Sequence, residues 1–293
     1  IEKGEAKALA DFLENFGDAF VWFGGVTTCV DGYNRNLNSS QVALSYWDGL
    51  VRIAEYLGLL GVENPEAGPW GEALHHDVED LVDLIERRLN VSILPPLGII
   101  HTDGLEVGDG LLHYRHVNSL YIAIRLRELA KSTSGSVRVL EIGGGIGIAS
   151  MYAHRLAIDD YTLVDIPITN LLCGHYLLNA LGSEGVCLLG EDLRSRAVKI
   201  LPFWKTAEFT RSEFDLCLNQ DSLNELDEKT RLFYKNQIAR LTPHYFLSVN
   251  HECFFPKTVN RLLESEQSYR LISRGPYWPR SGYVEELYSL RND

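Results

Sequence analysis

Residues 138–151 read RVLEIGGGIGIASM: an apolar run, the acid Glu141 near its end, three consecutive glycines, and a fourth after one more residue. A glycine turn between a strand and a helix lets a ligand approach the backbone at the helix N-terminus. Gly145, Gly147 and Ser150 come near the GxGxxG/A spacing that holds a dinucleotide pyrophosphate, so the glycines alone do not choose the ligand. Glu141 discriminates. A carboxylate at the mouth of the turn repels phosphate and attracts an ammonium group. Asp165 ends the next apolar run, twenty residues past Gly145, where an acid accepts hydrogen bonds from ribose hydroxyls. Asp192 follows a further apolar run, GVCLLG; it reads equally as a partner for an adenine amino group or as a solvated loop acid. Together Glu141, Gly143, Gly145, Gly147 and Asp165 describe a site for a nucleoside with a cationic group and no phosphate.

S-adenosylmethionine (SAM) has that composition, with an α-amino group, a sulfonium and a ribose. Its chemistry is methyl transfer, an in-line displacement at a sulfonium carbon. The protein must align the acceptor, exclude water and often remove a proton. Open α/β sheets bind ligands beyond the carboxyl ends of their strands, so the working groups are expected there. Asn219, Gln220, Asp221 and Glu225 follow the run FDLCLN; Asn250, His251 and Glu252 end or follow YFLSVN. His113, Tyr114, Arg115, His116 and Asn118 lead a helical segment. His251 is the first choice of general base, since imidazoles exchange protons near neutrality, and its competing reading is a strand-end histidine without a catalytic role. Asp221 is the second choice, with an N-cap as the alternative. Glu225 and His116 complete the catalytic candidates. Asp192, Asp221 and Glu225 are oxygen donors of the kind a divalent cation takes, but no fixed metal spacing appears and no metal is assigned.

The elements that must position these groups change character along the chain. The first 118 residues read as helical. Val42, Tyr46, Leu50, Ile53, Leu57 and Leu60 recur at helical spacing over 41–60, with Ser39 or Ser40 as cap and Gly61 as stop. A second helix is expected over 72–89 and a third over 114–130, with a turn-rich link between them. After KSTSGS the β-rich runs VRVLEI, YTLVDI, GVCLLG, FDLCLN and YFLSVN alternate with helical patterns at 147–156, 169–181 and 227–241. That alternation predicts a parallel sheet covered by helices. YRLISR and EELYSLR, joined by a short Gly-Pro link, predict an antiparallel pair at the sheet edge. Trp278, in that link, is the tryptophan best placed by sequence to wall an acceptor pocket. The expected organisation is a helical cap at 1–118 and a SAM-binding α/β domain at 119–293.

The bulk properties narrow the partners. A formal charge of −13 argues against nucleic acid, which needs a basic face. The five cysteines are scattered, without a CxxC pair, which excludes a zinc or disulfide framework and points to the cytoplasm. No apolar stretch is long enough to span a bilayer. Nothing fixes the number of subunits, and a homo-oligomer is compatible with the sequence.

EIGGGIG resembles motif I of the class I SAM-dependent methyltransferases. HYRHVNSLY, VLEIGGGIG, LVDIP and LNQDSLNEL, spread over residues 113–226, are similar more specifically to the bacterial sugar O-methyltransferase family. The resemblance implies a Rossmann-like sheet, mostly parallel with an antiparallel edge pair. It implies that Glu141, Gly143, Gly145 and Gly147 hold the methionine part of SAM and that Asp165 holds the ribose. It also implies that the segment 219–225, including Asn219, faces the reactive methyl and that the acceptor is sugar-like. The alternatives are N-methylation of an amino sugar, an NAD-dependent oxidoreductase, and a SAM-binding protein without catalysis.

Overall fold

The computed structural model describes residues 7–8, 11, 39–64, 66, 76–96, 104–108, 110–132, 136–192, 197–242 and 244–290. Trp22, Cys29, Trp70, His75 and the first residues of the expected second helix, 72–75, lie outside them. The chain divides into two compact units, Ile1–Tyr121 and Ile122–Asp293.

In the first unit, helix α1 (Ser39–Tyr56) buries Tyr46, Leu50 and Ile53, the stripe read from the sequence. It stops at Tyr56 and not at Gly61: Gly58, at φ +70°, supplies the left-handed turn that ends it. Helix α2 (Val78–Leu89) buries Leu81, Val82, Ile85 and Leu89, one face at helical spacing. Its termini follow the helix dipole, with Glu79 and Asp80 in the first turn and Arg87 and Arg88 in the last. The turn-rich link contains a small hairpin, β1 (Leu105–Val107) with β2 (Gly110–Leu112). Helix α3 (Tyr114–Ala130) follows, and the boundary between the units falls inside it.

The second unit is a mostly parallel sheet with an antiparallel edge pair. Its strands are β3 (Arg138–Ile142), β4 (Asp160–Asp165), β5 (Val186–Leu188), β6 (Val198–Pro202), β7 (Leu216–Gln220), β8 (Tyr245–His251), β9 (Tyr269–Pro276) and β10 (Tyr283–Leu290). They lie in the order β5-β6-β4-β3-β7-β8-β10-β9. The first six run parallel, and β10 inserts antiparallel to both β8 and β9. A mostly parallel sheet with an antiparallel edge pair is the arrangement that the resemblance implies. Helices α4 (Ile148–Arg155), α5 (Pro167–Leu181), α6 (Glu228–Leu241) and the short α7 (Val259–Leu263) connect the strands.

One strand corrects the sequence reading. VKILP forms β6, which pairs with β4 and displaces GVCLLG (β5) to the outer edge. Asp192 therefore follows the outermost strand, not the neighbour of β4, and it is exposed.

Strand alternation sorts the residues of β3. Leu140 and Ile142 join Cys217, Phe246 and the inner face of α6 (Tyr234, Ile238, Leu241) in one apolar cluster. Glu141 points to the opposite face, where its register partner is Leu163 and its hydrogen-bond partner is Tyr161.

Candidate active site

Where β3 gives way to α4 the chain reverses through glycines, each required for its own reason. Gly143 has φ +73°, and a Cβ there would lie 2.3 Å from Ser222 Oγ. A Cβ on Gly144 would lie 2.3 Å from Leu163 Cδ1 and 2.9 Å from Glu141 Cδ. Gly147, at φ +83°, packs on Cys173 and Leu177 and opens α4. Gly145 differs: φ is +59°, and an added Cβ would meet no atom within 4 Å. Packing does not require Gly145; its backbone conformation and its open face do.

Two carboxylates hold this turn. Asp165, the last residue of β4, accepts the Gly145 N–H through Oδ2 at 2.9 Å and the Ile166 N–H through Oδ1 at 2.7 Å. Burial raises its carboxyl pKa, and the N–H groups of Gly145 and Ile166 and the Thr169 hydroxyl oppose the rise. A carboxylate has about four acceptor sites and these three bonds leave one, so Asp165 can also accept from a ribose hydroxyl. Glu141 lies beneath the turn, 2% exposed, and accepts the Tyr161 hydroxyl at 2.8 Å. Burial pushes its pKa up to about 7; the Tyr161 hydrogen bond lowers it and the nearby Asp165 raises it. Among the described residues, no lysine, arginine or histidine pairs with Glu141 or Asp165.

The second cluster forms at the ends of β7 and β8. Asp221 directly follows β7 in a left-handed conformation, φ +56°, which turns the chain away from the sheet. Its Oδ2 accepts Arg280 Nη1 at 2.7 Å and its Oδ1 accepts the Tyr283 hydroxyl at 2.6 Å. The Arg280 guanidinium also lies 4.1 Å from the centre of the Tyr283 ring. His251, the last residue of β8, directs Nε2 toward Asp221 Oδ1 at 3.9 Å and Glu225 Oε1 at 3.8 Å. Tyr283 and Phe254 meet its ring edge-on, at 5.7 and 5.3 Å between centroids. Burial raises the Glu225 pKa, as does Asp221, while His251 and Arg280 lower it. The donor atoms of Asp221, Glu225 and His251 all lie within 4.8 Å of one another. Cations accept such a set; here Arg280 supplies positive charge to one of its members, Asp221.

The remaining expectations divide. Asn219 is fully buried, and protein partners use all of its bonding capacity. Its Nδ2 donates to Ile142 O and Ser222 Oγ, and its Oδ1 accepts from Leu223 N and Asn250 Nδ2. It ties β7 to the end of β3 and leaves no atom for a ligand. Asp192 lies on the exposed loop after β5, its carbonyl 3.3 Å from Cys187 Sγ. His116 belongs to the first unit, on the first turn of α3, and is 2% exposed. The N-cap of α6 is Asp227, which accepts Thr230 N. Arg280 and Tyr283 join the cluster without a sequence signal. The link between β9 and β10 marked them only as neighbours of Trp278, and nothing local shows that they reach back 59 and 62 residues to Asp221.

No protein-family model matches this chain, and no curated protein matches it by sequence. Solved structures match over part of the chain. Magnesium protoporphyrin IX methyltransferase from Synechocystis PCC 6803, solved with bound SAM, superposes with a TM-score of 0.45 at 12% identity; the match covers 63% of this chain and 87% of that one. A SAM-dependent methyltransferase from Aquifex aeolicus gives 0.42 at 15% identity, over 57% of this chain and 89% of that one. The CurJ carbon methyltransferase gives 0.44 at 12% identity, over 61% and 55%. At these identities the likeness is one of fold.

Proposed function

We propose that this protein is a SAM-dependent methyltransferase acting on a small, sugar-like acceptor. The observation that carries the reading is the glycine turn held by Asp165 and underlain by Glu141, two carboxylates without a cationic partner among the described residues. Phosphate is disfavoured there, while an ammonium and a ribose diol are favoured. The open face at Gly145 gives a nucleoside access to the backbone. A dinucleotide sheet of order 3-2-1-4-5-6 does not carry an antiparallel strand inserted before its last member, as β10 is here, which weighs against the NAD alternative.

SAM supplies an activated methyl group when bound; the chain's own residues do the rest. Asp165 holds a ribose hydroxyl, and Glu141 supplies negative charge for the ammonium end. His251, at the carboxyl end of β8, takes the acceptor hydroxyl's proton on Nε2. Asp221 and Glu225 stabilise the charged imidazole, and Arg280 and Tyr283 fix Asp221. The same two carboxylates would also receive an ammonium group, and this favours the amino-sugar variant as second reading. In this proposal residues 119–293 hold the cofactor and residues 1–118 act in acceptor choice. A chain beginning near Val137 that kept full methyl transfer would contradict that assignment.

The test is calorimetry with SAM, S-adenosylhomocysteine and NADH, followed by transfer of an isotope-labelled methyl group to a panel of glycosides and aminoglycosides. Binding of both SAM and its demethylated product, without NADH, is the expected result. NADH binding alone overturns the cofactor assignment. SAM binding without label transfer to any acceptor favours the non-catalytic alternative.

A further inference from the structure

Methyl transfer as proposed uses one nitrogen of His251. The other, Nδ1, lies 3.0 Å from Cys253 Sγ. Three other described cysteines, Cys173, Cys187 and Cys217, are buried in the sheet domain, whereas Cys253 is exposed. Across the imidazole, at Nε2, stand Asp221 and Glu225. A sulfur nucleophile, a base within hydrogen-bond reach and carboxylates behind the base thus form one row, the arrangement that activates thiols in covalent chemistry. Beside the thiol, Phe254 and Phe255 are 53% and 68% exposed. Aromatic surface next to a reachable sulfur favours an approaching group that is itself aromatic.

We infer that Cys253 is a covalent modification site, a thiol whose attack on aromatic disulfides is assisted by His251. The sulfur of Cys253 attacks one sulfur of the disulfide, and a new S–S bond forms as the old one breaks. The displaced half leaves as a thiolate, reduced by the pair of electrons it keeps, while Cys253 is oxidised to the disulfide level. The thiol proton passes to His251 Nδ1 in the tautomer that carries its hydrogen on Nε2, the converse of the tautomer used in methyl transfer, and Asp221 and Glu225 face the resulting imidazolium. The added group then stands against the ring assigned as base, so modification suppresses methyl transfer without occupying the glycine turn. The thiol chemistry itself does not rest on the methyltransferase reading.

The probe is 5,5′-dithiobis(2-nitrobenzoate) with the full chain at pH 7, read by release of the coloured thiolate and by peptide mass mapping. The first modified residue is expected to be Cys253, reacting about tenfold faster than N-acetylcysteine, a modest share of what a positioned base supplies. Cys253→Ser removes the fast phase, His251→Asn slows it at least tenfold, and Glu225→Gln slows it severalfold. Each variant's melting profile reports folding independently of reactivity. A wild-type rate no faster than N-acetylcysteine overturns the inference whatever the variants do, as does first modification at another cysteine. An unchanged rate in folded His251→Asn also overturns it. S-adenosylhomocysteine affinity, measured before and after modification, separates this result from the cofactor assignment: the thiol chemistry can hold or fail while that affinity stays constant.

Discussion

The two halves of the candidate site are built by opposite means. At the glycine turn, the backbone does the holding: Asp165 grips two peptide N–H groups, and the residues that matter fall within about 25 positions of sequence. At the ends of β7 and β8, side chains hold side chains. Asp221 is fixed by Arg280 and Tyr283 from the link and strand beyond β9, and His251 faces two carboxylates without a hydrogen bond to either. The first half is held within one stretch of chain; the second depends on contacts between segments some 60 residues apart.

That contrast can be broken at several points. His251→Ala should lower turnover by roughly 10²–10⁴ while leaving SAM affinity within a factor of two, the usual scale of general-base help. Steady-state rates beside calorimetric affinities check it; a fall of less than severalfold removes His251 from the proton transfer. Next comes Glu141. Its folded pKa of about 7 lies above the ordinary value of 4.5, so the native state binds this proton more tightly than the unfolded chain. Its contribution to stability is complete below pH 4.5 and is lost as pH rises toward 7, about 3 kcal/mol in all. Glu141→Gln should therefore flatten the pH dependence of the urea midpoint between pH 5 and 8. Parallel curves for the two proteins would show that Glu141 does not titrate in that range.

Asp165→Ala should weaken SAM and S-adenosylhomocysteine alike, by about 1.5–3 kcal/mol, since both share the ribose and a charge-assisted hydrogen bond is worth that much. A loss confined to SAM would assign Asp165 to the sulfonium. The smallest effect is expected from Gly145→Ala. The new methyl meets nothing, and only the left-handed backbone is penalised, by about 1–2 kcal/mol. Gly143→Ala, whose Cβ would collide with Ser222, should cost more in thermal unfolding. Equal losses at the two positions would show that the turn relaxes more freely than its packing implies.

The sequence showed the first half better than the second because of how each is made. Glu141, the glycines and Asp165 sit on consecutive strand ends, and alternation and spacing reveal such ends directly. The edge pair was equally visible as two β-rich runs across a Gly-Pro link. β6 escaped because VKILP is a short run ending in proline, followed at once by the exposed Phe203 and Trp204. Its omission misplaced Asp192. The resemblance places Asn219 at the reactive methyl, whereas its side chain spends four hydrogen bonds on Ile142, Ser222, Leu223 and Asn250. Arg280 and Tyr283 belong to a pairing between distant segments, and no local pattern encodes that.

The place of β10 between β8 and β9 bears on how the molecule comes into being. A chain made on a ribosome emerges in order, and domains take shape as their parts appear. Every residue of the glycine turn and Asp165 precedes β8, whereas Arg280, Tyr283 and β10 follow β9. The nascent protein thus has all the residues for gripping a nucleoside while His251 and Asp221 still lack their support. Until β10 arrives, one edge of β8 is unpaired, an invitation to strands of other chains. A message cut short after β8 would yield a product with that edge open and with Asp221 lacking both Arg280 and Tyr283.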